Sequence, residues 1–340
     1  MTTTPKKVID PIDKEIIKSE LTQNHFLRPT NKANNELYEF SAKECPNVML
    51  EIGRLRELAF RSGGGGTGEE IDVDEFDYME KPYRQLIVWD PEKEEIVGGY
   101  RYLKGSDTII TDGQPNFVGS HMFHFSEKFC NDYLPHTIEL GRAFVQPKYQ
   151  TAIMGMKSLF ALDNLWDGLG AIIYKNPSIN YLIGKVTIYR EYNTLARNLI
   201  YAYLQQYYPD TENLIRPDEP LTICQEALDI ANEIFSGDDK TANYKRLQKE
   251  IRAIGENVPT MFNAYIGLSN TMKTFGSGVN HEFGEVYETG IMVTISDLIE
   301  EKKKRYIMPY INYLKILRQH RQRIRKKARL AKKTAKNTSK

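Results

Sequence analysis

The stretch Thr137-Ile138-Glu139-Leu140-Gly141-Arg142-Ala143-Phe144-Val145 decides the fold, because it places a carboxylate, a glycine and a guanidinium inside a run that is otherwise typical of a β-strand. Alternation sends Glu139 and Gly141 to one face of a sheet and Leu140 and Arg142 to the other. A glycine inside such a run often marks a β-bulge. A bulge can aim a backbone N–H at a ligand carbonyl, and a carboxylate close by can act as a base. The combination suits acyl transfer.

The spacing of Glu139 and Arg142 also has a plain structural interpretation. Two opposite charges three residues apart can form an ion pair on an exposed face, worth about 0 to 1 kcal/mol. Further stretches favour the functional interpretation, because together and in this order they match one known family. They lie at residues 54–61 (RLRELAFR), 72–77 (DVDEFD), 96–102 (IVGGYRY), 147–149 (PKY), 165–171 (LWDGLGA), 257–265 (NVPTMFNAY) and 280–284 (NHEFG).

With these stretches the chain resembles the acyl-carrier-protein-dependent ornithine and glycine N-acyltransferases of aminolipid synthesis, often labelled hemolysin-like. These enzymes are related to acyl-homoserine-lactone synthases within the Gcn5-related N-acetyltransferase (GNAT) fold. The resemblance runs from about residue 38 to about residue 305 and implies an α+β fold with a mixed sheet flanked by helices. We therefore expect an N-terminal arm at 1–34, the acyltransferase domain at 35–300 with an insertion at about 210–255, and a basic helical or disordered tail at 301–340.

Hydrophobic periodicity predicts the elements around the Glu139 strand. Strands are expected at 36–41, 84–90, 95–103, 137–145, 179–188 and 286–295. Helices are expected at 47–61, 154–174, 193–208, 221–235 and 259–275, followed by a basic helix. The glycine run at 63–68 is followed by Glu69 and Glu70, where a phosphate-binding loop needs Lys and Ser or Thr. We interpret it as a mobile connection, which the resemblance implies approaches the active site.

The resemblance also implies which side chains form the site. The catalytic candidates are Glu139 and Arg142, and the substrate-binding candidates are Arg54, Phe60, Asp72, Asp74, Arg101, Phe144 and Val145. Glu139 would accept a proton from the attacking amine, directly or through water. Backbone N–H groups of residues 143–145 would donate to the thioester carbonyl. Arg101 or Arg54 would bind the acceptor carboxylate as a bidentate fork.

The acidic cluster at residues 72–77 has three possible interpretations. Its spacing lacks the glycine at position six and the final glutamate of an EF-hand calcium loop. A solvated acidic turn is the plain alternative. The resemblance instead implies that aspartates here face the arginines of the first helix and help to form the acceptor pocket. Arg142 is predicted to pair with Asp74 or Asp77.

Residues 150–155 (QTAIMG) bear on the acyl donor. GNAT enzymes that bind coenzyme A usually carry an Arg/Gln-x-x-Gly-x-Gly/Ala turn here, whose N–H groups hold the pyrophosphate. This chain keeps only Gln150 and one glycine, Gly155, and has Ile153 where the first glycine of the pattern stands. A phosphopantetheine arm on a carrier protein has no pyrophosphate, so the departure favours acyl-acyl carrier protein over coenzyme A as donor. We expect no tightly bound cofactor.

The resemblance thus implies transfer of a 3-hydroxylated fatty acyl group to the α-amine of glycine or ornithine, giving a lyso-aminolipid. Two alternatives stay open. A synthase of acyl-homoserine-lactone signals would need a pocket for S-adenosylmethionine, and nothing in the sequence identifies one. A non-catalytic membrane-binding or nucleic-acid-binding module would use the tail alone, but the intact Glu139 argues against it.

Other classes of site are disfavoured by the cysteines and histidines. Cys45, Cys130 and Cys224 form no Cys-x-x-Cys pair, which argues against a zinc site and a disulfide framework. His121 and His124 lie three apart and could place two imidazoles on one helical face, but we identify no complete set of zinc ligands and predict no metal. None of the six histidines is followed five residues later by Asp, so the His-x-x-x-x-Asp site of glycerolipid O-acyltransferases is missing.

Charge divides the chain into two parts. Residues 301–340 hold 16 of the 46 Lys and Arg but one of the 45 acids, a net +15, which leaves 30 basic and 44 acidic residues, a net −14, in residues 1–300. A basic tail attracts anionic lipid, nucleic acid or an acidic protein. We expect a cytoplasmic enzyme held by its tail at the inner face of the membrane, with acyl carrier protein as a second acidic partner and nucleic acid as the less favoured one.

Overall fold

The computed structural model describes the backbone of residues 4–150 and 156–338, and side chains at 4–150 and 160–326. Its strands are β1 (Phe26–Pro29), β2 (Glu36–Ser41), β3 (Arg84–Asp90), β4 (Glu95–Lys104), β5 (Ile110–Thr111), β6 (Gln114–Pro115), β7 (Phe123–Phe125), β8 (Thr137–Val145), β9 (Tyr181–Ile188), β10 (Ile215–Pro217), β11 (Lys273–Asn280) and β12 (Val286–Thr294). Its α-helices are α1 (Lys14–Glu20), α2 (Pro46–Ser62), α3 (Glu75–Tyr78), α4 (Met156–Lys175), α5 (Thr194–Tyr207), α6 (Gln225–Ile234), α7 (Lys240–Ala253), α8 (Thr260–Ile266), α9 (Glu300–Tyr306) and α10 (Met308–Thr338).

Eight of the strands form one mixed sheet in the order β1-β2-β3-β4-β8-β9-β12-β11. Neighbouring strands run antiparallel except β8 and β9, which are parallel. A parallel pair needs a crossover connection, and α4 supplies it between β8 and β9. The predicted α+β fold with a mixed sheet is confirmed.

Both faces of the sheet are covered, which explains why its central strands are apolar at successive positions. On β3, Ile87 and Trp89 belong to the core formed with α2. The alternate residues Leu86 and Val88 belong to the core formed with α4. Because side chains alternate between faces, an apolar run of this kind is stable only between two layers of helix.

The parallel pair of β8 and β9 is short and then opens. The two strands pair only over residues 137–140 of β8 and 181–184 of β9. Beyond this point β8 continues to pair with β4, and β9 continues to pair with β12. The sheet therefore splits into two halves, and a cleft opens between Gly141 and Lys185.

Most elements lie where the sequence predicts them, with three corrections. The helix expected over 259–275 ends at Ile266, where Gly267 follows, and its second half belongs to the edge strand β11. The expected arm at 1–34 contains α1, but it also contributes β1 to the sheet. The expected insertion at 210–255 carries β10 and α7 as well as α6, and α7 packs on α5. Residues 154 and 155 of the helix expected over 154–174 lie outside the described residues.

The basic tail starts as part of the packed domain. Tyr306 on α9 packs against Trp166, with ring centroids 6.0 Å apart, and Tyr310 on α10 is also buried. A β-carbon at Gly170 would lie 2.1 Å from the Tyr306 carbonyl oxygen, so the close approach of α4 requires glycine there. From Lys315 to residue 326, every side chain except that of Leu317 is exposed. In the described part of the chain, no helix combines the length and the apolar character needed to cross a bilayer.

Candidate active site

The cleft between β8 and β9 has a volume of about 670 Å³ and is lined from both sides. The β8 side contributes residues 139–143, and the β9 side contributes residues 185–189. Helix α2 adds Phe60, β12 adds Glu288, and the segment before and into α8 adds Asn257, Pro259, Thr260 and Met261. Of the predicted site residues, Phe60, Glu139 and Arg142 line this cleft.

The predicted bulge is present in β8 and lies at the mouth of the cleft. Gly99 of β4 pairs with Phe144, and Arg101 pairs with Gly141, so Tyr100 alone faces two residues of β8, Arg142 and Ala143. The residue in the left-handed conformation is Arg142, with φ of 51°, rather than Gly141. A non-glycine residue seldom adopts this conformation unless its surroundings favour it.

The Arg142 side chain shows what enforces that conformation. Its Nε donates to Asp72 at 3.0 Å, and its Nη2 lies 3.7 Å from Asp74. Its guanidinium carbon lies 4.4 Å from the ring centroid of Phe283, within cation–π range. The predicted partners were Asp74 or Asp77, and the hydrogen-bonded partner is Asp72. Asp72 is buried, and burial raises the pKa of its carboxyl while Arg142 counteracts that shift.

Glu139 lies on the floor of the cleft and is 3% exposed. Its Oε1 accepts from the Gly119 N–H at 2.8 Å, and its Oε2 accepts from the Val118 N–H at 3.1 Å and from the Tyr83 hydroxyl. Burial raises the pKa of the Glu139 carboxyl above its usual range, and the Tyr83 hydrogen bond and the Lys185 charge oppose that shift. A buried carboxylate of raised pKa that reaches a substrate cleft is a good proton acceptor.

Neither arginine expected to bind the acceptor carboxylate is free to do so. Arg101 is fully buried, donates to Asp74 at 2.6 and 2.7 Å, and lies 2.9 Å from Asp77. Arg54 forms a fork with Glu51 on its own helix, at 2.8 and 2.5 Å, and does not line the cleft. Each guanidinium is therefore occupied by protein carboxylates, which accept both arms of the fork. Asp74 thus serves as an anchor for arginines behind the cleft.

Phe144 and Val145 also lie away from the cleft. The Phe144 ring is buried in the core that α2 forms on the sheet. Val145 packs on the opposite core, beside α4. Arg142 and Ala143 line the cleft instead, at the point where β8 no longer pairs with β9 and is bulged against β4.

Two charged residues that the sequence analysis missed complete the floor of the cleft. Lys185 Nζ lies 2.7 Å from Glu288 Oε2, and both side chains line the cleft. Asn280 donates to the same oxygen of Glu288 at 3.1 Å. Burial would raise the pKa of the Glu288 carboxyl, but Lys185 holds it below its usual range. A charge inside an otherwise apolar strand singled out Glu139, and the same signal would have found this pair.

The glycine run borders the same cleft. A β-carbon at Gly63 would lie 2.6 Å from the ring of Tyr189, which lines the cleft. The Glu57 carboxylate accepts from the Thr67 N–H at 3.0 Å and from the Gly68 N–H at 2.8 Å, and so anchors the loop. Of residues 150–155, Gln150 lines the cleft, and the rest of the expected phosphate-binding turn lies outside the described residues.

Comparison with known proteins agrees with this geometry. Residues 55–158 match the family model of the acetyltransferase (GNAT) domain. The chain is 50% identical over 307 residues to a glycine N(alpha)-acyltransferase of Bacteroides thetaiotaomicron, covering 90% of this chain and 91% of the relative. It is 47% identical over 307 residues to a glycine N(alpha)-acyltransferase of Phocaeicola vulgatus, covering 90% of this chain and 94% of the relative. No solved structure matches the chain. The chain therefore belongs to the same family as these relatives, the N-acyltransferases of aminolipid synthesis built on the GNAT fold.

Proposed function

We propose that the protein transfers a 3-hydroxylated fatty acyl group from acyl carrier protein to the α-amine of glycine. The protein is an acyltransferase of the N-acyltransferase family. The observation that carries the proposal is the split sheet, which presents a buried carboxylate, Glu139, beside the bulge at Arg142 and Ala143 in one cleft. The names of both relatives favour glycine over ornithine as acceptor.

The reaction needs a free amine, because the ammonium form of an amino acid has no lone pair to attack with. Glu139 takes the proton, directly or through a water molecule. The amine nitrogen then forms a bond to the thioester carbon, and the carbon–sulfur bond breaks. Backbone N–H groups at the bulge stabilise the oxyanion that forms in between. The products are an N-acyl amino acid and the free thiol of the phosphopantetheine arm, and one proton is released to solvent.

Acyl carrier protein is the proposed donor for two reasons. Residues 150–155 keep little of the turn that holds the pyrophosphate of coenzyme A, and a phosphopantetheine arm does not need that turn. Carrier proteins are acidic, and residues 315–340 hold 12 Lys or Arg and no acid. Electrostatic attraction to this segment would offset repulsion by the net negative charge of residues 1–300.

The same segment supports a peripheral association with the inner leaflet of the membrane, where a lyso-aminolipid would be delivered. Its first part, from Lys315 to residue 326, is an exposed helix that leads away from the packed Tyr310. Each basic residue close to an anionic surface contributes about 1 kcal/mol, so several together give reversible but substantial binding. Nucleic acid is the alternative polyanion, and we do not favour it because the product is a lipid.

The experiment is lipid mass spectrometry of a bacterial host that makes neither glycine lipids nor ornithine lipids and expresses this single gene. We expect N-acylglycine from the wild-type gene, and a loss of at least about 100-fold from Glu139→Gln. The exposed Glu226→Gln serves as a matched control and should behave as the wild type. Accumulation of N-acylornithine instead would show that the acceptor is ornithine and not glycine. If the protein is present in soluble form and the host contains no new acylated amino acid, the proposal is refuted.

A further inference from the structure

Three charged side chains meet on one face of the sheet where it splits. Glu139 pairs with Ile183 across the parallel strands, so both point to the same face. Lys185 lies two residues beyond Ile183 and therefore shares that face. Glu288 lies on it too, because it pairs with Thr187 of β9. The arrangement is carboxylate, ammonium, carboxylate, on three successive strands.

Lys185 keeps hydrogen-bonding capacity that faces the cleft. An ammonium group has three donors. One is accounted for by Glu288 at 2.7 Å, and another neighbour is the sulfur of Met122 at 3.8 Å, a weak acceptor. The Lys185 side chain is 15% exposed although its strand lies within the sheet. Glu288 fixes the ammonium in place without using all of its donors.

The cations among the described lining residues of the cleft are Lys185 and Arg142. Arg142 already donates to Asp72, approaches Asp74 and stacks on the Phe283 ring. Lys185 has one acidic partner and lies on the same face as Glu139. A zwitterion would match the floor of the cleft, with its carboxylate on Lys185 and its ammonium between the two glutamates.

We propose that Lys185, positioned by Glu288, binds the carboxylate of the amino-acid acceptor and sets the acceptor's amine beside Glu139. The inference rests on the proposed function and names the group that recognises the acceptor. It replaces the role first expected of Arg101 or Arg54, whose guanidinium groups are held by protein carboxylates. Glu288 acts through Lys185 and is a positioning residue.

Steady-state kinetics with glycine and glycinamide test the proposal, because glycinamide has the amine but no carboxylate. Lys185→Gln should raise the KM for glycine about 10- to 100-fold, the loss typical of one charge-assisted hydrogen bond, and should change the KM for glycinamide less than about 3-fold. Lys185→Arg should recover part of the loss. Lys273→Gln is the control, since Lys273 lies on β11 outside the cleft and forms a similar ion pair with Glu212. An unchanged KM for glycine, or equal effects on both acceptors, would overturn the proposal.

Two further arms keep the result interpretable. Lys185→Gln leaves the buried Glu288 without its cation, so the double variant Lys185→Gln/Glu288→Gln is tested as well, with the same expected result. Binding of N-decanoylglycine and of its methyl ester is measured by calorimetry, without any turnover. The wild type should prefer the acid at least about 10-fold, and both variants should lose that preference. Equal preference in the wild type and the variants would overturn the role of Lys185. Failure of the wild type to acylate glycine would refute the proposed function, while the binding arm would still decide the role of Lys185.

Discussion

Replacing Glu139 with glutamine should remove the base while keeping the fold. The amide oxygen can accept from the Gly119 N–H, whose nitrogen lies 2.8 Å from Oε1 of Glu139 in the wild type. The amide NH₂ can donate to the Tyr83 hydroxyl, which still accepts from the Val118 N–H at 3.0 Å. The variant loses charge-assisted hydrogen bonds but also the cost of burying a charge. We therefore expect a loss of about 1 to 2 kcal/mol of stability.

Turnover should fall much further than stability. General-base catalysis typically contributes about 10² to 10⁴ in rate, so the turnover number at saturating donor and acceptor should fall by that factor. Because burial raises the pKa of the Glu139 carboxyl, kcat/KM of the wild type should increase with pH through an inflection above the usual pKa of a glutamate, and this limb should be absent in the variant.

The assay combines thermal unfolding with turnover on the same protein preparation. The melting temperature of Glu139→Gln should lie within about 5 °C of the wild type. Glu139→Ala is the structural contrast, because it leaves the buried Gly119 N–H without its carboxylate acceptor and opens a cavity, and it should melt well below the glutamine variant. A folded Glu139→Gln enzyme that keeps more than about a third of wild-type turnover would refute the role of Glu139 as base.

Three further predictions concern residues around the site and the tail. Arg142→Lys should cost about 1 to 3 kcal/mol while changing the acceptor's KM little, because a point charge replaces the guanidinium that donates to buried Asp72 and approaches Asp74; a large change in KM at unchanged melting temperature would contradict this. Burial raises the pKa of Asp167 to about 6, so the native state holds a proton that the unfolded chain has lost, and stability should fall as pH rises through about 6. Asp167→Asn should flatten the melting-temperature profile between about pH 4 and 6, and an unchanged profile would show that other groups cause the pH dependence. A protein ending at residue 314 should lose sedimentation with anionic vesicles, most clearly at low salt, and should show a raised KM for acyl carrier protein, whereas equal behaviour of both proteins would remove both roles of the tail.

Much of the fold was predictable because local signals agree with the final structure. The run from Thr137 to Val145 forms a strand with the predicted bounds, and the hairpin of β3 and β4 was evident from its two apolar runs. The prediction of a helix after Gly267 was wrong, because the apolar spacing continues from α8 toward β11. The glycine nevertheless allows the helix to end there. Strand β1 was missed because a four-residue edge strand carries little periodicity.

The central residues of the candidate site were predictable from the sequence, but the side chains that pair with them were not. A carboxylate, a glycine and an arginine within one strand pointed to Glu139 and to a bulge, and both lie at the cleft. The left-handed residue could not be assigned, because Asp72 and Phe283 select Arg142 from distant parts of the chain. Whether an arginine contacts substrate or a buried aspartate likewise depends on tertiary contacts, as the ion pair of Arg101 with Asp77 shows.

The central claim is tested most directly by a reconstituted reaction of purified protein, 3-hydroxyacyl-acyl carrier protein and ¹⁵N-labelled glycine, followed by mass spectrometry. We predict ¹⁵N-labelled N-acylglycine in amounts equal to the free carrier thiol, formed by the wild type and at least about 100-fold more slowly by Glu139→Gln. Release of thiol without labelled N-acylglycine, or equal product from both proteins, would contradict the account.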